Sequence, residues 1–151
     1  MVVFSLKLLN QLRKAVAGRR FPRQMAGGVA LGVFLGIIPH GNLLAAIVLF
    51  TVLCFRVNHA VMTLVAVLVT FGGAAHLDAY SGMVGEYLLT HPEGHLIAAR
   101  AWTLPLIPWT DLNNTVVLGS FLIGLTSTVP IYAITLPIFK KLAPQENEED
   151  A

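Results

Sequence analysis

The chain has 151 residues, of which 56% are hydrophobic and only 12% are charged. Soluble domains carry about a quarter charged residues, and a soluble fold of this length could not bury so much apolar surface. The composition therefore excludes an ordinary soluble domain. The net charge of +2 divides into a basic amino-terminal segment and an acidic tail.

Three long segments, 24–55, 57–77 and 112–139, contain no Lys, Arg, Asp or Glu. A helix needs about 20 apolar residues to cross a hydrocarbon layer of about 30 Å. Each segment reaches that length, so the sequence predicts an all-α, polytopic membrane protein.

The amino-terminal segment 1–23 is predicted to form an amphipathic helix at the membrane interface. Apolar side chains recur at three- and four-residue steps from Val2 to Val16, and basic residues lie between them. A basic segment beside a membrane span is typical of contact with anionic lipid rather than with nucleic acid. The same pattern also suits a helix packed on a partner protein.

The segment 24–55 is too long for one straight span, since its 32 residues would extend about 48 Å as a helix. Its middle is Pro39-His40-Gly41-Asn42, and these residue types interrupt helices and favour turns. We therefore predict two half-helices, 24–38 and 43–55. They form a broken hairpin, either re-entrant or made of two short spans, whose turn must be shielded by protein or water.

Two features of this hairpin allow both a functional and a structural interpretation. His40 is a functional candidate because ionisable side chains in a membrane are costly, but a histidine at a turn also satisfies backbone groups. Gly28, Gly32 and Gly36 share one helix face, which permits close approach of another helix. That helix belongs either to a second copy of the chain or to the chain itself.

The rest of the membrane domain 24–141 is predicted to contain two further transmembrane helices. Residues 59–77 form the first span, and 112–139 cross back. Between them, 78–111 is a moderately polar connection. The tail 142–151 is acidic and is predicted to be disordered.

The distribution of basic residues predicts the orientation. If the hairpin 24–55 returns to its own side, nine of the ten Lys and Arg residues lie on one side of the membrane. The positive-inside rule then places both termini in the cytoplasm and 78–111 in the periplasm of a bacterial inner membrane.

Candidate chemistry is sparse. His91 and His95 are four residues apart and could share a metal on a helix, but Pro92 and Gly94 favour a polar turn there. We find no nucleophile motif, phosphate loop or metal-ligand set in the sequence. We therefore expect no catalytic residues, no metal, no cofactor and no enzymatic activity.

A group of polar residues lies where helices are predicted to start, stop or turn. In such places a side chain either caps a helix end or holds a lipid headgroup. The group comprises Arg56, Asn58, Asp78, Asn113, Asn114 and Thr115.

Three segments resemble a family of small uncharacterised bacterial membrane proteins related to the DUF2062 family. They are 38–44 (Ile-Pro-His-Gly-Asn-Leu-Leu), 55–58 (Phe-Arg-Val-Asn) and 112–120 (Leu-Asn-Asn-Thr-Val-Val-Leu-Gly-Ser). The resemblance covers most of residues 5–140. His40 departs from the expected pattern, in which a longer basic residue occupies that position.

The resemblance implies a bacterium with an outer membrane, and a gene often paired with that of a larger envelope protein which resembles periplasmic lipid carriers. We therefore expect an inner-membrane subunit that anchors such a partner or loads lipid into it. The alternative is a self-sufficient transporter or flippase built around the hairpin turn. Expected partners are membrane lipids and the larger envelope protein, with a second copy of the chain as a further candidate, but not nucleic acid.

Overall fold

The computed structural model describes residues 21–143. The amphipathic segment predicted before Phe21 and the acidic tail predicted after Ala143 lie outside these residues. The described part is all-helical, which confirms the predicted class. It consists of α1 (Pro22–Ile37), α2 (Leu43–Leu53), α3 (His59–Gly72), α4 (Ala74–Thr90), α5 (Pro92–Ala101), a short 3-10 helix (Ile107–Thr110) and α6 (Thr115–Leu142).

The hairpin break separates α1 from α2 at residues 38–42. Gly41 adopts φ 106°, a left-handed conformation that glycine tolerates without a steric penalty. Asn42 then caps α2, because its Oδ1 accepts a hydrogen bond from the Ala45 amide at 2.8 Å. The half-helices differ from the predicted 24–38 and 43–55 by two residues at most at each end.

Helices α1 and α3 run parallel and in close contact. A Cβ on Gly28 would lie 2.7 Å from the Asn58 carbonyl oxygen, one on Gly32 would lie 2.6 Å from that of Met62, and one on Gly36 would lie 2.7 Å from that of Ala66. Because the residue numbers of the contacting positions increase together along α1 and α3, the two helices run in the same direction. Since this glycine face is covered by the chain's own α3, it is not open to a second copy.

Because α1 and α3 run parallel, α2, which connects them in the chain, has to run in the opposite direction alongside them. The Asn58 amide donates a hydrogen bond to the Gln24 carbonyl oxygen at 3.0 Å, so the chain after α2 returns to the beginning of α1. Leu44, Val48 and Val52 of α2 are buried in the core. Both ends of the α1–α2 hairpin therefore lie at one end of the molecule.

The predicted span over 59–77 is divided between two helices. Helix α3 ends at Gly72, and α4 continues from Ala74 at an angle of 80°. Consecutive glycines Gly72 and Gly73 supply no side-chain packing that would hold one straight helix through this point. The region 78–111 is also not merely a polar connection, since α4 and α5 occupy most of it.

Helix α6 is the longest helix of the described residues. It has 28 residues, continues through Pro130 and Pro137, and alone among the helices of 21–143 is long and apolar enough to cross a membrane by itself. Helices α3 and α4 meet that criterion only as a bent pair. At its beginning, Gly85 of α4 packs on the Thr115 carbonyl and Gly119 packs on the Ser81 carbonyl.

The core joins α1, α2, α3 and the first half of α6. The Phe34 and Phe121 rings have centroids 5.9 Å apart, and Gly124 leaves room for the Phe34 ring. Around this contact lie Ile38, Val48, Met62, Ala66 and Val117, all buried.

Asparagine also begins two other helices. Asn58 Oδ1 accepts from the Val61 amide at 3.1 Å at the start of α3, and Asn114 Oδ1 accepts from the Val116 amide at 2.9 Å at the start of α6. Each cap satisfies a backbone donor that has no partner within its helix. Asn113, the neighbouring candidate, does not cap α6.

We expect Gly32→Ala to lower the free energy of unfolding by about 1–3 kcal/mol, because the added methyl group overlaps the α3 backbone. Gly72→Ala is the matched control, since a Cβ there meets nothing within 4 Å. It should leave stability unchanged or raise it by up to about 1 kcal/mol. Thermal unfolding of the detergent-solubilised protein, followed by circular dichroism, measures both. Equal melting temperatures would contradict the close α1–α3 contact.

We expect Asn114→Ala to destabilise the protein by about 1 kcal/mol through loss of the α6 cap, and Asn114→Ser to restore most of it. Asn113→Ala changes the adjacent, exposed asparagine and should leave the melting temperature unchanged. The same unfolding measurement compares the three variants. If Asn113→Ala lowered the melting temperature more than Asn114→Ala, the α6 cap would belong to Asn113 and the assignment to Asn114 would be wrong.

Candidate functional site

Polar groups of the hairpin turn form hydrogen bonds with one another and with the adjoining helices. The Asn42 amide nitrogen donates to the Pro39 carbonyl oxygen at 3.1 Å while Oδ1 caps α2. His40 is exposed, and Thr70 of α3 donates to the Gly36 carbonyl oxygen at 3.1 Å beside the turn. These bonds satisfy the Gly36 and Pro39 carbonyl groups and use both ends of the Asn42 amide, which leaves His40 as the polar side chain of the turn with no hydrogen bond within residues 21–143.

The polar residues predicted near the helix breaks do not form one site. Arg56 and Asn58 lie just before the first residue of α3. Asp78 lies past the other end of α3, exposed on α4. The 14 residues of α3 separate these places by about 21 Å. Asn113, Asn114 and Thr115 lie at a third place, the beginning of α6.

A cavity of about 770 Å³, which the sequence did not predict, lies between the end of α4, α5, the 3-10 helix and the beginning of α6. Its lining is almost wholly apolar or small. The lining residues are Leu88, Leu89, Gly94, His95, Ile97, Ala98, Ala99, Ala101, Trp102, Ile107, Leu112, Asn113 and Leu118.

The cavity exists because α5 folds back beside α4. The sequence around His91 was predicted to be a polar turn, and that prediction is wrong beyond His91 itself. Pro92 is the first residue of α5, where a missing amide costs nothing, and Glu93 lies in the first turn, where a carboxylate is favoured. Gly94 then packs directly on the Leu88 carbonyl, which brings the two helices together. The sequence feature that indicates the start of this helix is a proline followed directly by a glutamate.

His95 and Asn113 are the two strongly polar side chains in the cavity wall. Imidazole and carboxamide groups can both donate and accept hydrogen bonds, so they suit a polar group at the end of an apolar ligand. Within residues 21–143 no cluster of three or more His, Cys, Asp or Glu side chains could hold a metal. The volume falls within the range of about 300–1,000 Å³ that is usual for small-molecule sites.

A comparison with protein-family models gives one match, to a family described as an uncharacterized protein conserved in bacteria, DUF2062, over residues 7–147. No curated protein and no solved structure matches the chain. The match covers nearly the whole sequence and confirms the resemblance carried by the Pro-His-Gly-Asn and Asn-Asn-Thr-Val-Val segments. The chain therefore belongs to the DUF2062 family.

Proposed function

We propose that this protein is a non-enzymatic subunit of the bacterial inner membrane that holds lipid and delivers it to a larger envelope partner. The apolar cavity beside α5 is the observation that carries the proposal. A cavity with hydrocarbon walls and two polar side chains suits an acyl chain whose polar end lies near His95 or Asn113.

The exposed apolar side chains support placement in a membrane. Phe71 is 87% exposed, Val129 73% and Phe50 70%, and only 22% of the most apolar stretch of α6 is buried. In water such a surface would favour aggregation, whereas lipid is a suitable solvent for it. We infer that α6 and the bent α3–α4 pair cross the bilayer and that the α1–α2 hairpin enters and returns.

The charge distribution supports the orientation. The return of the chain to Gln24 after α2 puts Arg56 at the same end of α1 as Arg23. With Lys140 and Lys141 at the far end of α6 on the same side, nine of the ten basic residues face the cytoplasm. The cavity then lies toward the periplasm, where a lipid-carrying partner would accept its ligand.

Helix α5 supplies a surface for that partner. None of its ten residues is buried, and Leu96 and Ile97 are largely exposed next to the cavity. Exposed apolar groups beside a ligand cavity suit a protein partner that covers the cavity mouth during transfer.

The alternative, a self-sufficient transporter or flippase, has less support. Such a protein would use the hairpin turn to bind substrate, but both polar ends of the Asn42 amide are occupied by bonds within the turn. Lipid movement across protein-only liposomes, abolished by His40→Ala without unfolding, would favour the flippase over the subunit.

We expect Ala98→Trp to reduce binding of a fluorescent fatty acid by about tenfold or more, equivalent to about 1.4 kcal/mol, because the indole occupies the cavity. Leu96→Trp adds a similar ring on the same helix outside the cavity wall and is the control. Fluorescence titration in detergent measures both, and lipid extraction followed by mass spectrometry reports the co-purified lipid. Equal fatty-acid affinities of the two variants would show that the fatty acid does not bind in the cavity.

We expect a cysteine at Thr103 to react with a membrane-impermeant maleimide from the periplasm, and one at Lys141 only from the cytoplasm. Both positions are exposed, and Cys54 is first replaced by alanine because it is an exposed free thiol. Labelling of cells with a permeabilised outer membrane, compared with labelling of inverted vesicles, gives the side. Modification of both positions from the same side would contradict the proposed orientation.

A further inference from the structure

Residues 21–77 contain only two charged side chains, Arg23 and Arg56, and the fold brings both to one place. They are 33 positions apart in the sequence. The Asn58 amide bonds to the Gln24 carbonyl oxygen at 3.0 Å, and a Cβ on Gly27 would lie 2.7 Å from Val57 Cγ1. The backbone next to each arginine is therefore in direct contact with the backbone next to the other.

Neither arginine has a carboxylate partner within the described residues. The whole segment 21–77 lacks Asp and Glu, so no acid is available nearby in the sequence. Both arginine side chains are exposed, and two cations carried by contacting backbone segments attract an anion that can approach both. Guanidinium groups bind phosphate through paired, charge-assisted hydrogen bonds.

Two exposed aromatic side chains accompany the arginines. Phe21 is 58% exposed two residues before Arg23, and Phe55 is 53% exposed next to Arg56. An isolated phosphate ion would gain nothing from these rings. A phospholipid would, because its acyl chains lie directly beneath its phosphate group.

We propose that Arg23 and Arg56 together bind the phosphate group of one anionic phospholipid, with the Phe21 and Phe55 rings in the adjoining acyl layer. The site rests on the membrane placement proposed above but is independent of the cavity, which lies at the other end of α1. It deepens the proposed function by giving the chain a preferred lipid class at its cytoplasmic surface.

The test is native mass spectrometry of the full-length protein in detergent, titrated with phosphatidylglycerol or phosphatidylcholine. Arg23→Gln and Arg56→Gln should each weaken phosphatidylglycerol binding by about fivefold or more and leave phosphatidylcholine binding unchanged. Because both arginines act on one phosphate, the double variant should lose less than the product of the two single losses. Arg56→Lys keeps the positive charge but lacks the paired, planar N–H donors of guanidinium, so it should retain part of the phosphatidylglycerol binding.

Arg100→Gln is the matched control, since Arg100 is exposed on α5 and away from the pair. It should bind phosphatidylglycerol as the unaltered protein does. An equal loss for Arg100→Gln, or single losses that multiply exactly, would mean a diffuse attraction of basic residues and overturn the site. Displacement of the lipid by an equimolar amount of glycerol 3-phosphate would overturn the assignment to a membrane lipid.

The outcomes separate this site from the proposed function. If the arginine variants bind all lipids normally while Ala98→Trp loses fatty acid, the phosphate site fails and the cavity proposal stands. If the purified protein does not enter phospholipid nanodiscs, the membrane placement and the phosphate site fail together.

Discussion

The close contact between α1 and α3 determines the arrangement of the other described helices. With hydrogen alone at Gly28, Gly32 and Gly36, the α1 backbone lies against the carbonyl oxygens of α3. In the proposed membrane placement, helices gain little from the hydrophobic effect when they associate, so van der Waals contact at this distance would be a principal source of stability. Since the contact holds the two helices parallel, α2 has to return along them, and the α1–α2 hairpin follows from it.

The hairpin also depends on how its backbone groups are satisfied. A buried backbone group at an interrupted helix end needs a hydrogen-bond partner, and in the proposed membrane placement lipid would supply none. Asn42 serves the end of α1 and the beginning of α2 at once, and Thr70 serves the Gly36 carbonyl from α3. Because these polar groups are hydrogen-bonded within the fold, we interpret the turn as a structural element and not as the substrate site that its sequence suggested.

The features that sequence analysis predicted well are those fixed by local chemistry. Proline, glycine and asparagine in a row disfavour helix whatever surrounds them, so the break before α2 was predictable to within two residues. The 59–77 span was predicted to end near Gly72 and Gly73, but the helix that continues from there at an angle of 80° was not predicted. The start of α5 was missed because Pro92 was taken as a helix breaker, although proline is favoured at the first helical position. The cavity was out of reach, since it requires α5 to fold against α4 and both to meet the start of α6, which no local pattern specifies.

The position of the core bears on how lipid could move. Between the arginine pair at the beginning of α1 and the cavity near the beginning of α6 lie the buried side chains of Phe34, Ile38, Met62 and Val117. Phe34 and Phe121 are in ring contact in this layer. A headgroup crossing through the described helices would have to break this packing and desolvate its charge, and burying an unpaired charge is far costlier than apolar contacts can offset. Under the proposed function, a lipid would therefore enter the cavity more readily from the surrounding bilayer, around α5, than through the interior. That route suits a subunit that takes up lipid at its surface and passes it to a partner, and it is the physical reason for preferring that role to a flippase.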